Sequence, residues 1–231
     1  MERMMVRTKT EARRSALLTA AREVFQEVGF DQASMDAIAA RAGSSKATLY
    51  RYFDSKETLF TELMQSSANA QGGGMMALLH QSGGAAPDIE LTAAVPVANP
   101  MLDPAADVLP TLTKFGEYIL SAFHTPESLG VQRMVIAATV NPDIGATYYE
   151  QGPLRAIQYL GHYLQQVCSS GKLRKADVHV MACHFYGLIE SEVHQLGLFN
   201  VITTLEPERV AATVARALDV FMRAYGPDPQ P

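Results

Sequence analysis

Residues 33–60, ASMDAIAARAGSSKATLYRYFDSKETLF, carry two short helical signals around a glycine and the start of a third helix. Ser34 is placed to cap the first helix, Asp36 falls in its first turn where the helix dipole favours negative charge, and Ile38, Ala39 and Ala42 supply an apolar side. Gly43 permits a tight turn. Ser45 can cap the second helix, in which Leu49 and Phe53, four apart, face inward. Lys46, Thr48, Tyr50 and Tyr52 are left for another partner, and they are residue types that grip nucleic acid. The layout is a helix-turn-helix.

Working outward, the preceding helix runs from about Thr10 to Val28, with Leu17, Leu18, Ala21, Val24, Phe25 and Val28 as one apolar stripe before Gly29. The following helix begins near Ser55 and carries Leu59, Phe60, Leu63 and Met64. Gly72, Gly73 and Gly74 interrupt it, MMALLHQ can resume it, and residues 83–107, rich in Ala, Pro and Gly, read as an irregular surface connection. Helical periodicity then returns over about 108–123, 126–140, 143–169, 176–198 and 207–225. Pro153 predicts a kink or break inside the long third segment, and Gly226-Pro227 ends the last. The expectation is an all-α fold of about nine helices. Residues 1–54 form the arm and three-helix bundle, 55–82 a linking helix, 83–107 the loop and 108–231 a larger C-terminal domain.

Charge is distributed unevenly over the 231 residues, whose formal net charge is −5. Residues 1–60 hold ten Lys/Arg against eight Asp/Glu, while residues 61–231 hold nine against sixteen. Arg3, Arg7, Lys9, Arg13 and Arg14 outnumber Glu2 and Glu11, so the arm can approach phosphate or enter a minor groove, or remain a solvated tail. Cys168 and Cys183 are the only cysteines and are expected as reduced thiols. The N-terminus lacks the apolar run of a signal peptide and no segment approaches the length of a membrane span, so a soluble, cytoplasmic protein is expected.

The stretch AGSSKATLYRYFDSKETLF, residues 42–60, resembles the signature of the TetR/AcrR family of bacterial transcriptional regulators. The resemblance covers roughly residues 12–64, and beyond them it extends only to helical character and length. It implies a homodimeric, ligand-responsive repressor that binds a palindromic operator in double-stranded DNA, leaves it when a small molecule binds, and needs no cofactor. The DNA-contacting set it implies is Ser34, Ser45, Lys46, Ala47, Thr48, Tyr50, Tyr52 and Lys56, with the tyrosines bracing phosphates and Lys56 on the backbone. Ser44 and Ala47 depart from the family pattern, which more often has valine at the first position and glycine or proline at the second.

The same resemblance places a ligand cavity among the middle helices, with Phe115, Tyr118, Phe123, Met134, Tyr148, Tyr149, Tyr159, His162 and Phe185 as candidate lining residues. Such a set favours a mostly apolar or aromatic molecule, with Arg133, Arg155 or Glu117 available for one polar group. The last two helices are implied to pair with those of a second subunit. His184, Leu188, Ser191, Val214, Leu218 and Phe221 are the candidate contacts, although helical periodicity fits monomer core equally well.

Other classes draw less from the residues. His179 with Cys183, and Glu190 with His194, are four apart, but neither has a second pair at recognisable zinc spacing, and no metal site is expected. Thiol sensing through Cys168 or Cys183 lacks a nearby cationic cluster. No G-x-S-x-G, G-x-G-x-x-G, phosphate-binding loop or H-E-x-x-H is present, and Glu190 with Glu192, two apart, reads as solvated charge rather than a catalytic pair, so no enzyme is expected. A helical adaptor that ignores DNA remains the structural alternative.

Overall fold

The computed structural model describes residues 2–71 and 101–227, with side chains described for 10–64, 101–150 and 152–227. In chain order the helices are α1 (Glu2–Gln32), α2 (Met35–Arg41), α3 (Lys46–Tyr50), α4 (Lys56–Gln71), α5 (Val108–Phe123) and α6 (Pro126–Ala138). They continue with α7 (Pro142–Gln151), α8 (Pro153–Ser169), α9 (Val178–Glu190), α10 (His194–Leu198) and α11 (Pro207–Tyr225). Eleven helices and no strand occur among the described residues. The excess over nine comes from two breaks. Pro153 lacks the amide that would continue α7, so α8 restarts there, and the segment expected over 176–198 is interrupted after Glu190.

α1 begins earlier than the apolar stripe suggests, at Glu2, because nothing between Glu2 and Val28 is glycine or proline. Its regular course is broken at Gly29, where φ is 78° and ψ 166°, a left-handed value that glycine adopts without a side-chain penalty. The expected irregular connection lies largely outside the described residues. Its last part, residues 101–107, consists of turns, and the Lys172 ammonium donates to the carbonyls of Pro104, Ala105 and Ala106, each at 2.8 Å.

The described chain divides into two units. The first comprises Met1–Ala68 with Gly130–Gln151, the second Asn69–Leu129 with Gly152–Pro231. In the first unit Phe25, Phe30 and Phe60 form an aromatic cluster, with Phe60 edge-on to Phe25 at 5.1 Å and to Phe30 at 4.9 Å. Leu17, Ile38, Leu49, Phe53, Leu59 and Leu63 are fully buried around it, and Val131, Met134, Val135, Ala138 and Ile144 join the same core.

In the second unit Phe115, Leu164, Val167, Phe185, Val214 and Phe221 make the interior. α5 and α11 approach closely because residue 116 is glycine: a Cβ there would lie 3.0 Å from Val214 Cγ1. Val214, Leu218 and Phe221, read from the sequence as subunit contacts, are therefore corrected to core residues. α11 has one apolar stripe, and it is consumed against the chain's own α5 and α9. No helix among the described residues is long and apolar enough to cross a membrane.

Candidate nucleic-acid interface and effector site

The helix-turn-helix is built by its caps. Ser34 is extended (φ −123°, ψ 150°) and its Oγ accepts the Ala37 N–H at 3.1 Å, which starts α2. α2 ends when Ser44 N–H donates to Ala39 O at 2.9 Å and Gly43 N–H to Ala40 O at 3.1 Å, with Gly43 at φ 57°. This is the Schellman arrangement, and its left-handed residue is why the turn uses glycine. Ser45 Oγ then accepts the Thr48 N–H at 3.2 Å, and its hydroxyl lies 2.9 Å from that of Thr48.

α3 is anchored by Leu49 and Phe53, both without solvent exposure. The anchoring leaves Lys46, Ala47 and Tyr50 exposed on the other side, with Thr48 and Tyr52 half-buried at its margins. A short helix held by its apolar face and presenting ammonium, methyl and phenol outward is suited to enter a groove and touch base edges and phosphates. Of the expected residues, Lys46, Ala47 and Tyr50 are exposed on α3, Ser34 and Ser45 cap α2 and α3, and Lys56 is engaged elsewhere.

The Lys56 ammonium is surrounded by backbone oxygens, donating to Phe30 at 2.7 Å, Ala33 at 3.1 Å and Asp31 at 3.3 Å, and it sits 4.4 Å from the centre of the Phe30 ring. It serves the carbonyls left open where α1 ends, a structural task that occupies the donors expected on a phosphate.

Among the described residues of the first unit, Lys46, Arg41 and Arg14 are held by ion pairs at the surface. Lys46 lies 2.9 Å from the Asp36 carboxylate, which raises the Lys46 pKa. Arg41 bridges Glu27 at 2.7 Å and Glu23 at 3.2 Å, and its hydrogen bond holds the Glu27 carboxyl below the usual range. Arg13 donates to Gly43 O at 3.2 Å, while Arg14 pairs with Glu62 and lies 5.6 Å from the Phe53 ring centre. Exposed pairs of this kind are readily exchanged for another anion.

The aromatic residues expected around a ligand divide between the units. Phe115, Tyr118, Phe123, Tyr159 and Phe185 come together in the second unit, with Phe115 6.3 Å from Tyr159 and 5.7 Å from Phe185. Met134 and Tyr148 instead belong to the first unit's core, Tyr149 is 47% exposed there, and His162 faces solvent on α8.

Four polar residues near the second-unit cluster stand outside the expected lining set, Glu190 and His194 having been weighed for metal and Glu190 for catalysis. The Tyr186 ring lies 6.4 Å from Phe115, and its hydroxyl donates to Ala156 O at 3.1 Å. Glu190 follows one turn later on α9, His194 opens α10, and His124 ends α5 with its ring 5.9 Å from that of His194. Glu190 is not the solvated charge its spacing suggested: enclosure by protein raises its pKa, partly offset by His194. Burial pushes the Tyr159 hydroxyl up to about 12, raises Tyr186 as well, and lowers His124. The spacing of Tyr186 and Glu190 on α9 was the available signal, since i,i+4 residues share a helix face, whereas His194 lies beyond the break.

Among the described residues no group of three or more His, Cys, Asp or Glu is arranged to hold a metal. Cys168 is buried beside Arg174 O at 3.2 Å, and burial raises its thiol pKa, the opposite of what a reactive thiol needs.

Residues 17–63 match the family described as bacterial regulatory proteins, tetR family, and residues 110–227 match the C-terminal domain of AefR-like transcriptional repressors. The HTH-type transcriptional activator FasR of Mycolicibacterium smegmatis is 48% identical over 59 residues, 26% of this chain and 27% of that protein. The HTH-type transcriptional regulator UidR of Escherichia coli is 46% identical over 63 residues, 26% of this chain and 32% of that protein. Similarity to these two relatives thus spans less than a third of their length. Among solved structures, the flavonoid-responsive regulator FrrA superposes with a TM-score of 0.74 at 25% identity, over 95% of this chain and 100% of that one.

Proposed function

Because the chain belongs to the TetR family of transcriptional regulators, we propose that it is a homodimeric, cytoplasmic repressor released from a palindromic operator by a small, largely apolar or aromatic effector. The observation that carries DNA recognition is α3 itself, pinned by Leu49 and Phe53 while Lys46, Ala47 and Tyr50 stay exposed. A five-residue helix makes few contacts, so useful affinity calls for two copies on half-sites about one helical turn of DNA, or a multiple of it, apart. The α9 face of Val180, His184, Gly187, Leu188 and Ser191, which the chain's own core leaves uncovered or only partly covered, is the surface assigned to the second subunit. Val220 of α11, 50% exposed, is assigned with it.

Repression is supported by the similarity of residues 110–227 to AefR-like repressors, and an aromatic effector by the similarity to a flavonoid-responsive regulator and by the Phe115, Tyr159, Phe185 cluster. Release requires the effector to bind the DNA-incompetent arrangement more tightly, and operator must then weaken effector binding by the same factor. α4 and α6 each contribute residues to both units and are the natural links.

Selection of bound fragments from random duplex DNA at moderate salt, followed by titration of the enriched duplex with wild-type and Lys46→Ala protein, tests the proposal. An enriched palindrome whose affinity falls on Lys46→Ala is the expected result. A folded dimer that enriches nothing would favour the adaptor alternative.

A further inference from the structure

The second unit contains a row of polar atoms that its own fold leaves unserved. The Tyr159 hydroxyl on α8, His124 Nε2 at the end of α5 and His194 Nδ1 at the start of α10 are each buried with no hydrogen-bond partner. Folded proteins rarely tolerate such atoms without a ligand or ordered water to satisfy them. Here they are not scattered. The Tyr159 ring packs 6.3 Å from Phe115, which lies 6.4 Å from Tyr186. Glu190 follows Tyr186 by one turn of α9, and His194 opens α10 beyond the break, with its ring 5.9 Å from His124. From Phe115 to His124 is nine residues of one helix, about 13 Å at 1.5 Å per residue.

The chemistry of the row selects further. His124 hydrogen-bonds the Val193 backbone carbonyl, and since Nε2 is the unpartnered nitrogen, Nδ1 is the donor and Nε2 a lone-pair acceptor waiting for an O–H or N–H. The Tyr159 hydroxyl can donate or accept. Burial opposes charge on three groups of the row, holding His124 toward its neutral form, Glu190 toward the acid and Tyr159 as the phenol. A full charge placed beside these three groups would meet the same penalty. A purely apolar ligand would leave the three orphaned atoms unserved.

Resting on the reading of the second unit as the effector domain, we infer that this row is the polar wall of the effector site. It selects an uncharged, hydroxylated aromatic molecule, one of whose hydroxyls meets Tyr159 and another the His124 and His194 pair. The apolar body of such a ligand lies against Phe115 and Tyr186.

The test uses the full chain and four probes on one scaffold: biphenyl, 4,4′-dihydroxybiphenyl, biphenyl-4-carboxylate and 4-(aminomethyl)biphenyl, with affinities from calorimetry. Dihydroxybiphenyl is expected to bind about tenfold more tightly than biphenyl, the gain of one or two net hydrogen bonds. Tyr159→Phe, which removes one oxygen and preserves packing, should cut that preference by about threefold or more while biphenyl affinity stays the same. His124→Gln should cut it independently. Equal affinity for the first two probes, tightest binding by the carboxylate or the amine, a preference untouched by Tyr159→Phe, or no binding of dihydroxybiphenyl would each overturn the inference. Operator titration of the same preparation without ligand reads DNA binding separately, so loss of this inference and loss of the regulator reading are distinguishable.

Discussion

The ammonium of Lys46 lies 2.9 Å from the Asp36 carboxylate, so the first side chain of α3 is held by the first turn of α2 across the bend at Gly43. Both partners are more than half exposed, 55% and 65%, so another anion can compete for the lysine.

Asp36→Asn should therefore tighten DNA binding a few-fold at low salt, because it frees Lys46 and removes a charge that repels phosphate. Lys46→Ala should weaken binding with no change in helicity. Paired titrations by fluorescence anisotropy with labelled duplex measure both. Identical affinities for wild type and both variants would remove Lys46 from the interface.

Lys56→Ala is expected to act on folding before it acts on DNA. It strips a donor from the carbonyls of Phe30, Asp31 and Ala33, and leaving them underserved costs about 1–3 kcal/mol. Thermal unfolding should show a lowered Tm in the absence of DNA. An unshifted Tm accompanied by lost DNA affinity would return Lys56 to the phosphate backbone.

Ser44 should respond in the opposite direction. Its Oγ is buried without a hydrogen-bond partner at the turn between α2 and α3. Ser44→Ala removes the unserved hydroxyl and is expected to stabilise by about 1 kcal/mol. Chemical denaturation with an unchanged m-value would measure the gain, and a destabilised variant would mean that the hydroxyl has a partner in solution.

Gly187 offers a probe of the proposed subunit contact. It is exposed on α9, and a Cβ added there meets nothing within 4 Å. Gly187→Arg should leave the single chain folded, even slightly more helical, while blocking close approach of a second copy. Sedimentation should then report a monomer. A dimer of wild-type stability would place the contact elsewhere.

Glu190 predicts a pH dependence. Enclosure raises its pKa above the ordinary carboxyl value of 4.5, so the folded state favours the protonated acid. The stability this contributes is present below about 4.5 and is lost as pH rises through the higher folded value. Glu190→Gln, which cannot ionise, should match wild type near pH 4 and exceed its Tm near pH 8. Parallel Tm curves across that range would show the carboxyl to be solvated after all.

Much of the molecule was legible locally because its signals are local. Ser34, Gly43 and Ser45 write the caps and the turn of the helix-turn-helix, and the four-residue spacing of Leu49 and Phe53 already orients α3. The break at Pro153 follows from a missing amide. These features depend on residues within a turn or two of one another.

What the tertiary structure alone decided is which partner each apolar or polar face meets. Periodicity marks Val214, Leu218 and Phe221 as one stripe, but only packing shows that the chain's own α5 and α9 use it up. Met134 and Phe115 look alike as middle-helix residues, yet they bury in different units, because α6 passes from one unit to the other between Leu129 and Gly130. The family resemblance implies a phosphate contact for Lys56, whereas its surroundings are those of a helix cap. Glu190, His194 and His124 acquire meaning only when α5, α9 and α10 bring them together, with the His124 and His194 rings 5.9 Å apart and the His194 charge acting on Glu190. The physical reason is common to all four: helix formation is governed by neighbours in sequence, whereas burial, desolvation and hydrogen-bond satisfaction are set by residues distant in sequence that share a space.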